Sequence, residues 1–118
     1  MKYMLLVYLN EQALSDSDRE HCYLESAQLA RDLSAKGKYL SAGPLHPVAT
    51  ATSVRVRDKR RLVTDGPFAE TREQLGGYYL IDAEDLDEAM RIAERIPVAK
   101  VGTIEIRPVL EIKGLPSQ

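Results

Sequence analysis

The stretch Lys2-Tyr3-Met4-Leu5-Leu6-Val7-Tyr8-Leu9 carries apolar or aromatic side chains on both alternating faces: Tyr3, Leu5, Val7 and Leu9 on one, Met4, Leu6 and Tyr8 on the other. A strand with one wet face alternates polar and apolar residues, so this segment reads as a central strand covered on both sides. Gly76-Gly77-Tyr78-Tyr79-Leu80-Ile81 has the same character further along the chain. Between and beyond these strands, two helical patterns appear. The first starts at Ser15, whose hydroxyl can cap a turn bearing Asp16 and Asp18, and carries Tyr23, Ala27, Ala30 and Leu33 at helical spacing up to Lys36-Gly37. The second starts within Asp82–Asp85 and carries Leu86, Ala89, Met90, Ala93 and Ile96 before Pro97.

Shorter strands complete the pattern. Tyr39-Leu40-Ser41-Ala42-Gly43 ends at Pro44, and Thr103-Ile104-Glu105-Ile106-Arg107 alternates near the end. Residues 44–52 read as a loop, and Ser53–Arg57 and Arg61–Thr64 as a basic hairpin closed across Asp58–Arg60. Without that hairpin the order is β-α-β-β-α-β, the split βαβ arrangement of an α+β, ferredoxin-like sandwich. Two helices cover only one face of such a sheet, yet both central strands are apolar on two faces. A second copy of the same sheet is the simplest cover, so the pattern implies a homodimer.

With 118 residues, 44% hydrophobic and 29% charged, the chain fits one globular domain and not a disordered one. We expect a domain over 1–112 and a loose tail over 113–118. No apolar run approaches the roughly 20 residues of a membrane span, and no association with a membrane is expected. The opening segment is too short, and lacks the cleavage site, for a secretion signal. The single Cys22 fits a reducing compartment, so a cytoplasmic location is expected. A net charge of −2 gives no general attraction to nucleic acid.

Thr64-Asp65-Gly66-Pro67-Phe68-Ala69-Glu70-Thr71-Arg72-Glu73-Gln74-Leu75-Gly76-Gly77-Tyr78-Tyr79 resembles the signature of the DGPF branch of the YCII-related family. Lys2–Leu6, Ala49–Arg55 and Glu105–Val109 match the family in the same order. The resemblance implies a dimeric α+β barrel, a bacterial cytoplasmic protein, and a branch often encoded beside extracytoplasmic-function sigma factors. The wider family includes a dechlorinating enzyme with a proposed active-site histidine on the first helix. Counting back from the glycine of Gly37–Pro44 puts Ser26 at that position. His21, five residues earlier, faces about 140° away on a helix and does not replace it.

The remaining candidates come from residue chemistry. Asp65 and Glu70 are two carboxylates on one loop, able to divide into an acid and a base if burial raises one pKa. Asp65-Gly66-Pro67-Phe68 is also turn chemistry in its own right. His46, between Pro44 and Pro47, is the side chain best suited to proton transfer near neutrality. Tyr8, Tyr78 and Tyr79, on central strands, could direct hydroxyls into a barrel cavity or equally serve as core aromatics, with Arg72 orienting a substrate and Ser26 at its wall. Two histidines and one cysteine without ligand spacing give no expected metal site, and no cofactor is expected. Gly76-Gly77 precedes a strand, which points to a bulge or a close backbone approach. The resulting expectation is a binder of a small organic molecule, with cofactor-free acid–base catalysis as its extension. The alternative is a non-catalytic interaction module connected with sigma-factor signalling, using the basic hairpin.

Overall fold

The computed structural model describes residues 1–116 and shows an α+β fold. Six strands and two helices run in the order β1 Lys2–Leu9, α1 Asp16–Ala35, β2 Tyr39–Pro44, β3 Thr52–Arg57, β4 Arg60–Asp65, β5 Gln74–Asp82, α2 Leu86–Glu94 and β6 Thr103–Pro108. The main sheet has the order β2-β5-β1-β6, antiparallel throughout, which is the arrangement expected of a split βαβ sandwich. β1 and β5, the two strands apolar on both faces, are its two inner strands. The sheet of one chain is open, with edges at β2 and β6, so a single copy closes no barrel. Of the expected tail over 113–118, residues 117 and 118 lie outside the described residues; Leu110, Ile112 and Leu115 before them are exposed.

Register assigns the faces. Tyr3, Leu5 and Val7 of β1 stand opposite Ile81, Tyr79 and Gly77 of β5 and, on the other side, Leu5 and Val7 stand opposite Ile106 and Ile104 of β6. This face meets both helices, and the core is made of Leu5, Ile81, Leu29, Leu33, Ala89, Ile92, Ala93 and Ile96 among others. The opposite face holds Met4, Leu6, Tyr8, Tyr78 and Leu80, with no helix over it. At the inner end of β5, Gly76 is the extra residue of a bulge, since Val7 pairs with Gly77 and Tyr8 with Leu75. A methyl group on Gly76 would lie 2.6 Å from Leu9 Cδ2.

Both helices start as their sequences predict. Ser15 Oγ accepts from the Asp18 N–H at 3.1 Å, and Asp85 Oδ1 accepts from the Glu88 N–H at 2.9 Å. Glu88 Oε1 returns the interaction by accepting from the Glu84 N–H at 2.8 Å, and it also accepts from Lys38 Nζ at 2.8 Å, tying α2 to the start of β2. The buried stripes differ from the expected ones. On α1 only Leu29 and Leu33 are buried, while Tyr23 and Ala27 are exposed. On α2 the buried residues are Ala89, Ile92 and Ala93, while Leu86 and Met90 are exposed and Ile96 lies beyond the helix end. The cause on α1 is geometric: its first half lacks a continuous apolar stripe and stands off the sheet, so only its second half packs.

The β3–β4 hairpin forms a separate two-stranded sheet, with Val54 opposite Val63 and Arg57 opposite Arg60. Its turn is two residues long, Asp58 (φ 50°) and Lys59 (φ 64°), shorter than the expected Asp58–Arg60 turn. Two left-handed residues are what the strand twist requires of a two-residue hairpin, and Asp adopts that conformation readily. β3 and β4 pack substantially only on each other.

Leu5 is fully buried at the centre of this arrangement. Leu5→Ala should cost about 3 kcal/mol and lower the melting temperature by roughly 10 °C, measured by circular dichroism.

Candidate functional site

Because the first half of α1 stands away from the sheet, it leaves a wedge-shaped cleft of about 1050 Å³ between helix and strands. The cleft is of the size that holds a small organic molecule. Its floor is the helix-facing side of the sheet, including Val7, Ala42 and Tyr79, and Ser26, Ala27 and Ala30 of α1 form its roof. The loops after β1 and β2 supply its mouth through Glu11, Arg19 of the facing helix, Leu45 and His46.

Tyr79 is the polar group set deepest in this wedge. Its residue is 5% exposed, and its hydroxyl donates to the Ser26 carbonyl oxygen at 3.2 Å, bridging sheet and helix. Burial raises its phenol above the ordinary value, with the nearby Ser26 side chain opposing the shift and Tyr39 adding to it. The phenol therefore stays neutral and serves as a hydrogen-bonding group at physiological pH. Cys22 also borders the cleft. Burial raises its thiol pKa, and the carboxylates of Glu25 and Asp18 raise it further, so at neutral pH it is a thiol and a poor nucleophile.

Charged groups at the mouth are mostly engaged with the protein itself. Arg19 Nη2 donates to the Glu11 carbonyl oxygen at 2.9 Å, and its Nη1 lies 3.6 Å from Asp16 Oδ1. Glu11 Oε1 accepts from the Val48 N–H at 2.9 Å, fixing the loop after β2. Gln74 Oε1 accepts from the Glu11 N–H at 3.2 Å, which joins the same mouth to the start of β5. Among the described residues, no group of three or more His, Cys, Asp or Glu side chains comes together in a way that could hold a metal ion.

The residues singled out from sequence fall into three places. Ser26 and His46 line the cleft, His46 as an exposed side chain at its mouth. Tyr8 and Tyr78 project on the opposite face of the sheet, given their pairing with Thr103 and Leu6. Tyr78 also borders the cleft, but its hydroxyl lies 3.3 Å from Ser41 Oγ on that opposite face. Burial raises the Tyr8 phenol above its ordinary value, and the neighbouring Glu105 carboxylate adds to the effect. Asp65, Glu70 and Arg72 are exposed at and after the base of the hairpin and do not line the cleft. A single chain therefore does not assemble Asp65, Glu70 and His46 around one pocket.

The Asp65–Phe68 segment has a structural task that its local contacts account for. Gly66, at φ 102°, turns the chain out of β4; its N–H donates to the Ala51 carbonyl at 2.7 Å, and its own carbonyl accepts from Ser53 Oγ at 2.8 Å. These bonds clamp the two ends of the hairpin together. Thr71 Oγ1 then donates to the Glu73 carbonyl and Gln74 Nε2 to the Thr71 carbonyl, each at 2.6 Å, leading the chain into β5.

An antiparallel α+β sheet with helices on one face and a cleft beneath the first helix defines a small α+β protein with a built-in pocket. A model of the YCII-related domain matches residues 1–113. The chain is also 42% identical over 118 residues to an uncharacterised protein of Rhizobium meliloti (strain 1021), with 92% of each protein covered. The chain belongs to the YCII-related family.

Tyr79→Phe should remove about 1 kcal/mol of stability at neutral pH, the worth of one hydrogen bond. The folded phenol titrates above the unfolded one, so its contribution is intact below about pH 10 and is lost as pH rises through the higher folded value. Urea midpoints measured at pH 8 and at pH 10.5 should therefore fall less between the two for Tyr79→Phe than for the wild type.

Proposed function

We propose that the protein, a member of the DGPF branch of its family, binds a small organic molecule in the cleft beneath α1. The observation that carries this reading is the separation of the first half of α1 from the sheet. A helix of 20 residues that buries only Leu29 and Leu33 leaves apolar sheet surface facing a space that none of the described residues fills. Val7, Leu9, Ala30 and Ala42 suit an apolar body, and Ser26 and Tyr79 offer polar contacts beside it.

Where binding leads to turnover, proton transfer falls to His46, the histidine of the cleft. Asp65, Glu70 and Arg72 keep a role in this chemistry only through a second copy of the chain, and the reading includes a cytoplasmic homodimer joined through the helix-free face of the sheet. The half-buried apolar side chains of Met4 and Leu6 on that face support such a pairing.

The probe 8-anilinonaphthalene-1-sulfonate, an apolar aromatic anion, tests the cleft. Ala27 is exposed on its roof, so Ala27→Trp fills the space without disturbing the core. The wild type should bind the probe with one site per chain, and Ala27→Trp should weaken binding at least tenfold with an unchanged circular dichroism spectrum. Equal binding by the two proteins rejects the cleft as the site. Leu6→Asp should convert the dimer to a monomer by light scattering; a wild type that is already monomeric rejects the pairing.

A further inference from the structure

The chain exposes far more surface than a compact protein of its size. Its accessible area is 8770 Å², whereas a folded monomer of this mass exposes about 6400 Å². Its radius of gyration is 16.0 Å, against about 13.5 Å for a compact domain of this length. The excess of roughly 2400 Å² per chain is of the order that stable homodimers bury. The β3–β4 hairpin, exposed at all but one of its strand residues, stands away from the rest of its own chain.

This hairpin has two unlike faces. Val54 and Val63 pair directly, with Val56 two residues along on the same face, and they are 60%, 52% and 62% exposed. Phe68, just past the hairpin, is 80% exposed. The other face carries Arg55, Arg57, Arg60 and Leu62, Lys59 lies at the tip, and Arg61 stands opposite Val56 at the end of the valine face. An isolated two-stranded hairpin is marginal in water unless its apolar face is covered. Among the described residues, no other element of its own chain packs substantially against this one.

We infer that the β3–β4 hairpin is a clasping arm that lays its Val54, Val56 and Val63 face on a second copy of this chain. Two observations select a second copy as the occupant. The exposed area in excess of a compact monomer matches what a stable dimer buries. Charge selects it too: five cations and Asp58 give residues 52–64 four net positive charges, while the whole chain is −2, so the remainder carries six net negative charges. An arm and a body of opposite sign attract between copies, and that attraction steers the arm to the partner. The arm thus adds to the pairing through the sheet face and is a separate contact.

Photo-crosslinking distinguishes the two contacts. Val56→benzoylphenylalanine is introduced into the full chain, and dimers mixed from ¹⁴N- and ¹⁵N-labelled protein are irradiated. Crosslinked peptides joining the two isotopes are expected from position 56; crosslinks confined to one isotope would overturn the arm. In parallel, Val54→Asp/Val63→Asp should raise the dimer dissociation constant at least tenfold while leaving the melting of the separated chain unchanged. An unchanged dissociation constant would also overturn it, whatever Leu6→Asp shows about the sheet face. A fluorescent 20-nucleotide DNA strand provides the last comparison. The expected result is no retention at 0.15 M salt; retention that is lost with the charge reversal Arg55→Glu/Arg57→Glu/Arg60→Glu would assign the cations to nucleic acid and overturn the inference.

Discussion

Most of the structure depends on how β1 pairs with its two neighbours. The antiparallel register that sets Tyr3, Leu5 and Val7 against Ile81, Tyr79 and Gly77 collects most of the buried side chains of the inner strands on one face. That face fixes where Leu29, Leu33, Ile92 and Ile96 can bury themselves, and therefore where both helices lie. A shift of one residue would exchange this set for Met4, Leu6 and Tyr8 and turn Tyr79 away from α1. The bulge at Gly76 and the close approach of Gly77 to β2, where an added methyl group would sit 3.0 Å from the Gly43 carbonyl oxygen, lock the register at the end nearest the cleft.

The same register creates the cleft. At the far end of the sheet, α1 packs through Leu29 and Leu33, whereas its first half offers Asp16, Asp18, Glu20 and Glu25, which stay in solvent. Hydrophobic burial draws one end of the helix down, and nothing draws the other. Tyr79 bridges the resulting gap with a single hydrogen bond to the Ser26 carbonyl oxygen.

The split between sheet, cleft and hairpin also explains why the Asp65–Phe68 motif says little about chemistry. Its Asp65 is exposed, and its Gly66 serves the clamp formed with Ala51 and Ser53. A motif conspicuous in sequence can be so because a turn is demanding. Here the demanding residue is a glycine with a left-handed backbone that closes the base of a long arm.

The strands, both helix starts and the β-α-β-β-α-β order followed from the sequence alone, since period, caps and turn residues act over short distances. Apolar residues on both faces of Lys2–Leu9 and Tyr78–Ile81 were enough to place those strands inside the sheet. Which tyrosine belongs to the cleft was open to the same logic: Tyr79 shares its parity with Ile81 and lies across from Leu5, whereas Tyr78 does not. The buried stripe of α1 was not legible, because Tyr23, Ala27, Ala30 and Leu33 have valid helical spacing whether or not the helix lies flat on the sheet. Only the tertiary structure decided that α1 tilts, that Ser26 and His46 meet at one cleft while Asp65, Glu70 and Arg72 stay outside it, and that the hairpin leaves the body. Those outcomes depend on contacts between segments far apart in the chain, and no local pattern of residues encodes them.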